Sequence, residues 1–276
     1  MTAPVFLADT GQLADAVREH GDSDGRDGDS GGRDGGRDGR EGPGGHGTVV
    51  LEGPEGRHAV SVRRLRPGED VVLTDGAGTG AYGTVRAVSG KDRLEVAVTS
   101  VLTEPEPRPR ITVVQALPKG DRGELAVETM TETGADVIVP WAAARCVTQW
   151  RGERGQKSLA KWRSTAREAG KQSRRLRFPE VAPLASTADV AELLRDAHLG
   201  VVLHEEGELP LATARLPRDG GIVAVVGPEG GVSPQESEIF TDAGARLCRL
   251  GPSVLRTSTA GTAATALLLG RTGRWD

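Results

Sequence analysis

A chain of 276 residues, 37% hydrophobic and 27% charged, has the composition of a globular protein and room for two domains or one large one. Its net charge of −4 would ordinarily argue against a nucleic-acid partner. No apolar run reaches the length of about 18 residues that a membrane span needs, and the opening MTAPVFLADTGQ lacks the basic patch and apolar stretch of a signal peptide.

The first strand-like run is residues 5–8, and others follow at 48–51, 70–74, 81–88 and 94–102. Turn signals separate them: Glu52-Gly-Pro-Glu-Gly56, Arg66-Pro-Gly68 and Asp75-Gly-Ala-Gly78. Short strands at this spacing predict a small β-barrel over residues 1–102. It is interrupted at 21–47 by a Gly/Asp/Arg repeat with no large apolar side chain. Such a segment cannot bury enough surface to offset its chain entropy, so a disordered, inert insertion is expected. Glu104-Pro-Glu-Pro-Arg-Pro109, within the stretch 103–109, then reads as a stiff linker.

From residue 110 to 276 strands alternate with helices. Strands are expected at 111–117, 136–140, 200–204, 221–226 and 246–250, and helices at 122–133, 157–172, 187–197, 233–243 and 257–269. Ser233 as cap, Pro234 in the first turn and Glu236 three residues on make the start of the helix at 233–243 especially clear. The alternation predicts an α/β domain, a parallel sheet covered by helices.

The modest net charge conceals a strong local field. Residues 142–177 hold eleven Lys or Arg against Glu153 and Glu168, with Trp141, Trp150 and Trp162 in or beside the run. That combination favours RNA, through phosphate attraction and base stacking. Lys171, Arg174 and Arg175 belong to this set; His58 with Arg63, Arg64 and Arg66 forms a second one in the first domain. Cys146 and Cys248 are too few for a disulfide framework or a zinc site and suit a reducing cytoplasm. The five His show no paired ligand spacing, so no metal is expected.

In open α/β sheets ligands bind beyond the carboxyl ends of the strands. Three such ends carry suggestive loops: His204-Glu-Glu-Gly207, Gly227-Pro-Glu-Gly-Gly231 and Gly251-Pro-Ser-Val-Leu-Arg-Thr257. A nucleotide-phosphate site fits poorly. Neither GxxxxGK[ST] nor a helix-opening GxGxxG is present, and Glu229 would repel a phosphate. Singly, each loop is equally well an ordinary turn.

Together they carry a resemblance. Gly227-Pro-Glu-Gly-Gly-Val-Ser233 and Leu250-Gly-Pro-Ser-Val-Leu-Arg-Thr257 closely resemble two C-terminal signatures of the RsmE family. Gln115-Ala-Leu-Pro-Lys-Gly-Asp-Arg122, and Glu52-Gly-Pro-Glu-Gly-Arg-His58 with Val62-Arg-Arg-Leu-Arg66, resemble two further motifs, in order. The family is of the SPOUT class and methylates N3 of a uridine in 16S ribosomal RNA with S-adenosylmethionine. The resemblance therefore implies an N-terminal PUA-like β-barrel, a C-terminal trefoil-knotted α/β domain, a cytoplasmic homodimer and the small ribosomal subunit as partner. It also implies that Leu203, Gly227, Pro228, Gly230, Gly231, Leu250, Gly251, Leu255 and Thr257 cradle the cofactor, with Lys119 and Arg122 joining the RNA-binding set. One departure stands out: Pro4-Val5-Phe6-Leu7 replaces the usual Arg before paired aromatics.

Uridine N3 carries a proton at neutral pH, so its methylation needs a base or a stabilised anion. Arg256 suits the second role, while Glu229 and, less directly, His58 suit the first. Two other readings compete: ribose 2′-O-methylation, and a non-catalytic RNA-binding or assembly factor. The absence of an Asn-rich cofactor loop argues against the one, and intact glycine loops against the other.

Overall fold

The computed structural model describes residues 3–16 and 47–276. All but the last residue of the insertion expected at 21–47 lies outside them. The chain divides into two compact units, Met1–Pro105 with Arg174–Arg177, and Glu106–Ser173 with Phe178–Asp276.

The first unit is a five-stranded sheet in the order β1-β3-β4-β5-β2, formed by β1 (Val5–Leu7), β2 (Thr48–Leu51), β3 (Asp70–Thr74), β4 (Thr79–Ser89) and β5 (Arg93–Thr103). Only β1 and β3 pair in parallel. Along β5 the alternation of buried Leu94, Val96 and Val98 with less buried neighbours is the period-two signature of a strand with one face inward. Register shifts at Tyr82/Gly83 and Val85/Ala87 bend β4, and both edge strands share one core with the centre through Phe6, Val49, Leu51 and Leu73. Leu13 and Ala16 of the helical residues 10–16 (α1), which the strand pattern did not reveal, close over that core. Leu176, from the separate piece Arg174–Arg177, is buried with Val5 and Val72.

Of residues 52–56, expected as a turn, Glu52 is extended and 53–56 are instead helical. α2 (Gly53–Arg57) starts with Pro54 in its first turn and continues as a π-helical turn, His58–Val62. Gly56 makes this arrangement fit: a Cβ there would lie 1.9 Å from the Asp92 carbonyl oxygen.

The second unit is a seven-stranded, wholly parallel sheet. It contains β6 (Arg110–Ala116), β7 (Val137–Trp141), β8 (Glu180–Val181), β9 (Leu199–Leu203), β10 (Leu209–Pro210), β11 (Gly221–Val226) and β12 (Arg246–Arg249), in the order β10-β12-β9-β11-β6-β7-β8. Between them run α3 (Arg122–Thr133), α4 (Gly152–Gln172), α5 (Thr187–Asp196), α6 (Pro234–Asp242) and α7 (Thr257–Thr272). Strands buried on both faces read as continuous apolar runs. Ile111, Val113, Ile222 and Ala224 pack in one core with α3, α4 and α7; Val114, Ala116, Val223 and Val225 pack in the other with α5 and α6. The short β8 and β10 carry too few residues to show a pattern in sequence.

Candidate active site

The parallel register sets where chemistry can happen. Leu203 at the end of β9 lies opposite Val226 at the end of β11 and Cys248 near the end of β12. The three loops that follow these strands therefore leave the sheet at one level. They line a single cleft of about 540 Å³, within the range of small-molecule sites. Leu203, Gly227, Pro228, Gly230, Gly231, Leu250, Gly251, Leu255 and Thr257, far apart in sequence, all face it, as do Glu229 and Arg256.

Backbone shape explains the glycines. Gly231 sits at φ +73°, where a side chain is strained, and a Cβ on Gly227 would come within 2.9 Å of the Val232 side chain. Beyond them Ser233 caps α6 in a reciprocal capping box with Glu236. Glu236 is 3% exposed and also accepts hydrogen bonds from the Ala144 N–H and the Thr187 hydroxyl. A carboxylate thus already occupies the positive end of α6, which disfavours a phosphate there. Among the described residues the N–H groups of Glu229, Gly230, Ser253, Val254 and Leu255 donate to no backbone carbonyl, so the two loops retain donors for a bound molecule.

Glu229 is exposed, and its Oε1 accepts the Lys119 N–H at 3.1 Å. It ties its loop to the loop that follows β6 and is only partly free for proton transfer. Arg256 caps α7, its carbonyl accepting from the N–H groups of Thr259 and Ala260. Its exposed guanidinium has no partner among the described residues, and neither does that of Arg122 across the cleft wall. Arg145 and Arg249 also line the cleft, and the sequence motifs did not single them out. Burial pushes the thiols of Cys146 and Cys248 up, which keeps them protonated and poor nucleophiles.

The expected RNA-binding residues divide. Arg63, Arg64, Arg66, Lys119, Arg122 and Arg174 are exposed, whereas His58 is half-buried with its ring edge-on to Phe6 at 5.7 Å. Arg175 is half-buried and engaged. Lys171 does not fit the expectation. Its side chain is 6% exposed and its ammonium lies 2.9 Å from the Glu168 carboxylate, because position 171 falls on the inward face of α4. The tryptophans are likewise not a stacking platform. Trp141 and Trp162 are buried, and Trp150 packs edge-on against Trp162 at 4.9 Å, so their apolar surface is spent on the core. No group of three or more metal-ligating side chains and no helix long and apolar enough to cross a membrane occur among the described residues.

Residues 104–269 match the model of the RNA methyltransferase domain family, and residues 51–99 that of the RNA methyltransferase PUA domain. The chain is 45% identical to ribosomal RNA small subunit methyltransferase E of Mycobacterium bovis over 83% of its length and 88% of the relative's. To the protein of that name from Bacillus subtilis it is 32% identical, covering 77% and 86% of the two chains. The structure of ribosomal RNA small subunit methyltransferase E from Neisseria gonorrhoeae bound to S-adenosylmethionine superimposes with a TM-score of 0.74 at 26% identity, covering 98% of each chain.

Proposed function

Because this chain belongs to the ribosomal RNA small subunit methyltransferase E family of S-adenosylmethionine-dependent enzymes, we propose that it methylates N3 of one uridine in 16S ribosomal RNA, on the small subunit or a late precursor. The observation that carries the reading is the convergence of three strand-end loops on one cleft beside an uncommitted guanidinium, that of Arg256. The residues suit the donor. The glycine loops offer a narrow slot and backbone donors, Leu203, Leu250 and Leu255 offer apolar contact for an adenine, and no cationic phosphate cradle is required.

When bound, S-adenosylmethionine supplies a methyl group made electrophilic by its sulfonium. The chain must then hold the uracil edge in line with that methyl and favour loss of the N3 proton. Arg256, whose guanidinium lines the cleft, would stabilise the anionic uracil. Glu229, which keeps its bond to the Lys119 N–H, is the candidate in the cleft to receive the N3 proton.

Arg122 in the cleft, and outside it Arg63, Arg64, Arg66, Lys119 and Arg174, are proposed to contact RNA phosphates, joined by the exposed Arg151, Arg154, Lys157 and Arg167 of the α4 region. We propose residues 1–102 as the PUA-like RNA-binding domain, 103–109 as linker and 110–276 as a SPOUT domain with a trefoil knot. The strand order supports the knot: β11 lies between β9 and β6, yet α7, after β12 has crossed beyond β9, returns to pack on β6 and β11. A cytoplasmic homodimer completes the reading, and scattering should report twice the 28.9 kDa chain mass.

Titration calorimetry with S-adenosylmethionine, followed by mass mapping of methylated small-subunit RNA, tests the proposal. Heat of binding and a methyl on a uracil base are expected. An unresponsive protein would make it a non-catalytic RNA-binding factor, and a methylated ribose would move it to 2′-O chemistry.

A further inference from the structure

Four arginines line the cleft, and they are not equivalent. Arg122 and Arg256 have no partner among the described residues, whereas Arg145 and Arg249 are each spent on a loop carbonyl. The Nη1 of Arg145 donates to the carbonyl oxygen of Gly230 at 3.0 Å, and that of Arg249 to the carbonyl oxygen of Gly207 at 3.3 Å. The first clamp therefore holds the loop after β11, the second the loop after β9. Both acceptors are glycine carbonyls, groups with no side chain of their own to fix them.

Each arginine is itself well anchored. Arg145 follows Ala144, whose N–H is bound to the buried Glu236, and Thr148 beyond it donates to the Pro118 carbonyl. A Cβ on Gly230 would lie 3.3 Å from the Cβ of Arg145, so the two backbones already approach closely. Arg249 ends β12, and the Gly207 backbone rests against Cys248 and Arg249 so tightly that a Cβ there would meet them at 2.7–2.9 Å. A third contact pins the Gly227–Gly231 loop from the other side, the Glu229 carboxylate on the Lys119 N–H.

We propose that Arg145 and Arg249 are positioning residues of the methyl-donor pocket: they fix the Gly230 and Gly207 carbonyls and so hold two of the three loops in the shape that receives the cofactor. The assignment rests on the reading of this cleft as the S-adenosylmethionine site. It separates the cleft's cations into a pair that shapes the pocket and a pair, Arg122 and Arg256, left for substrate. Pre-set loops spare the ordering cost at binding, so losing a clamp should show first in cofactor affinity.

The test measures S-adenosylmethionine binding by calorimetry for the full chain and for Arg145→Ala, Arg249→Ala, Arg145→Lys and Arg249→Lys. Each alanine variant is expected to bind about fivefold to tenfold more weakly, the loss typical of one charge-assisted hydrogen bond at a partly exposed site. The lysine variants, which keep one N–H donor within reach, should recover to within about threefold of the parent. At saturating cofactor, turnover and the KM for RNA should stay within about threefold for all four, a split that general unfolding would not produce. Cofactor affinity unchanged in both alanine variants overturns the proposal. Alanine variants that melt with the parent but whose lysine counterparts show no recovery also overturn it. Absence of heat from the parent protein would instead remove the reading of the cleft on which the proposal stands.

Discussion

The two ends of the parallel sheet treat charge in opposite ways. At the amino ends of β6, β7, β8 and β11 three cations are matched: Arg108 with Asp219 at 3.1 Å, Arg110 with Glu180 at 3.2 Å, and Arg274 with the buried Asp136 at 2.6 Å. At the carboxyl ends Arg122 and Arg256 stand in a cleft without partners among the described residues. The same residue type thus serves closure at one end and, under the proposed function, is left for substrate at the other. An unmatched cation within a cleft is available to pair with an incoming ligand of opposite charge.

The sharpest way to break this contrast is Arg256→Ala. If its guanidinium stabilises a transition-state anion, turnover on small-subunit RNA should fall on the order of 100-fold, while calorimetric affinity for S-adenosylmethionine changes little. Equal losses in both would make it a binding residue. Its counterpart at the other end is Arg274→Ala. The change strands Asp136, whose side chain is 4% exposed, without its bidentate partner. A loss of about 3 kcal/mol in urea unfolding is expected, from the uncompensated buried charge, with turnover of the folded fraction intact.

A smaller effect separates the two readings of Glu229. Glu229→Gln keeps an oxygen for the Lys119 N–H, so a loop-holding role predicts turnover within about threefold of the parent. A fall of about 100-fold or more would make it the proton acceptor. The smallest effect concerns the exposed pair at the amino end. The Gly220 N–H, and then Arg108, hold the Asp219 carboxyl below the usual carboxylate range. A depressed folded-state value stabilises the fold above the unfolded value near pH 4 and loses that contribution as pH falls through the lower folded value, about 4 being the ordinary aspartate figure. The unfolding midpoints of the parent and Asp219→Asn should therefore differ at pH 6 and converge towards pH 3.

Much of this was legible in the order of residues. Local patterns suffice where an element's identity depends on its own periodicity and caps. α3 and β11 fall where the apolar spacing put them, and the Ser233–Glu236 capping box is formed as expected. The pattern failed where distant backbone decides. Residues 53–62 became helical because Gly56 can lie on Asp92 and Leu51. Lys171 was a cation in a basic run until the packing of α4 turned it inward. Trp162 is core for the same reason. Of the site, the glycine loops were visible as motifs, but Arg145 and Arg249 carried no local mark. Their roles exist only through carbonyls 85 and 42 residues away.

By itself, then, the sequence determined the alternation of strand and helix, the places where glycine lets the backbone turn, and the two Gly-Pro loops, since each follows from the steric and hydrogen-bonding limits of a few neighbouring residues. Only the tertiary structure decided which loops meet and which arginines remain uncommitted. Register brings the ends of β9, β11 and β12 to one level, and a guanidinium's partners are set by what the folded chain places within hydrogen-bonding distance.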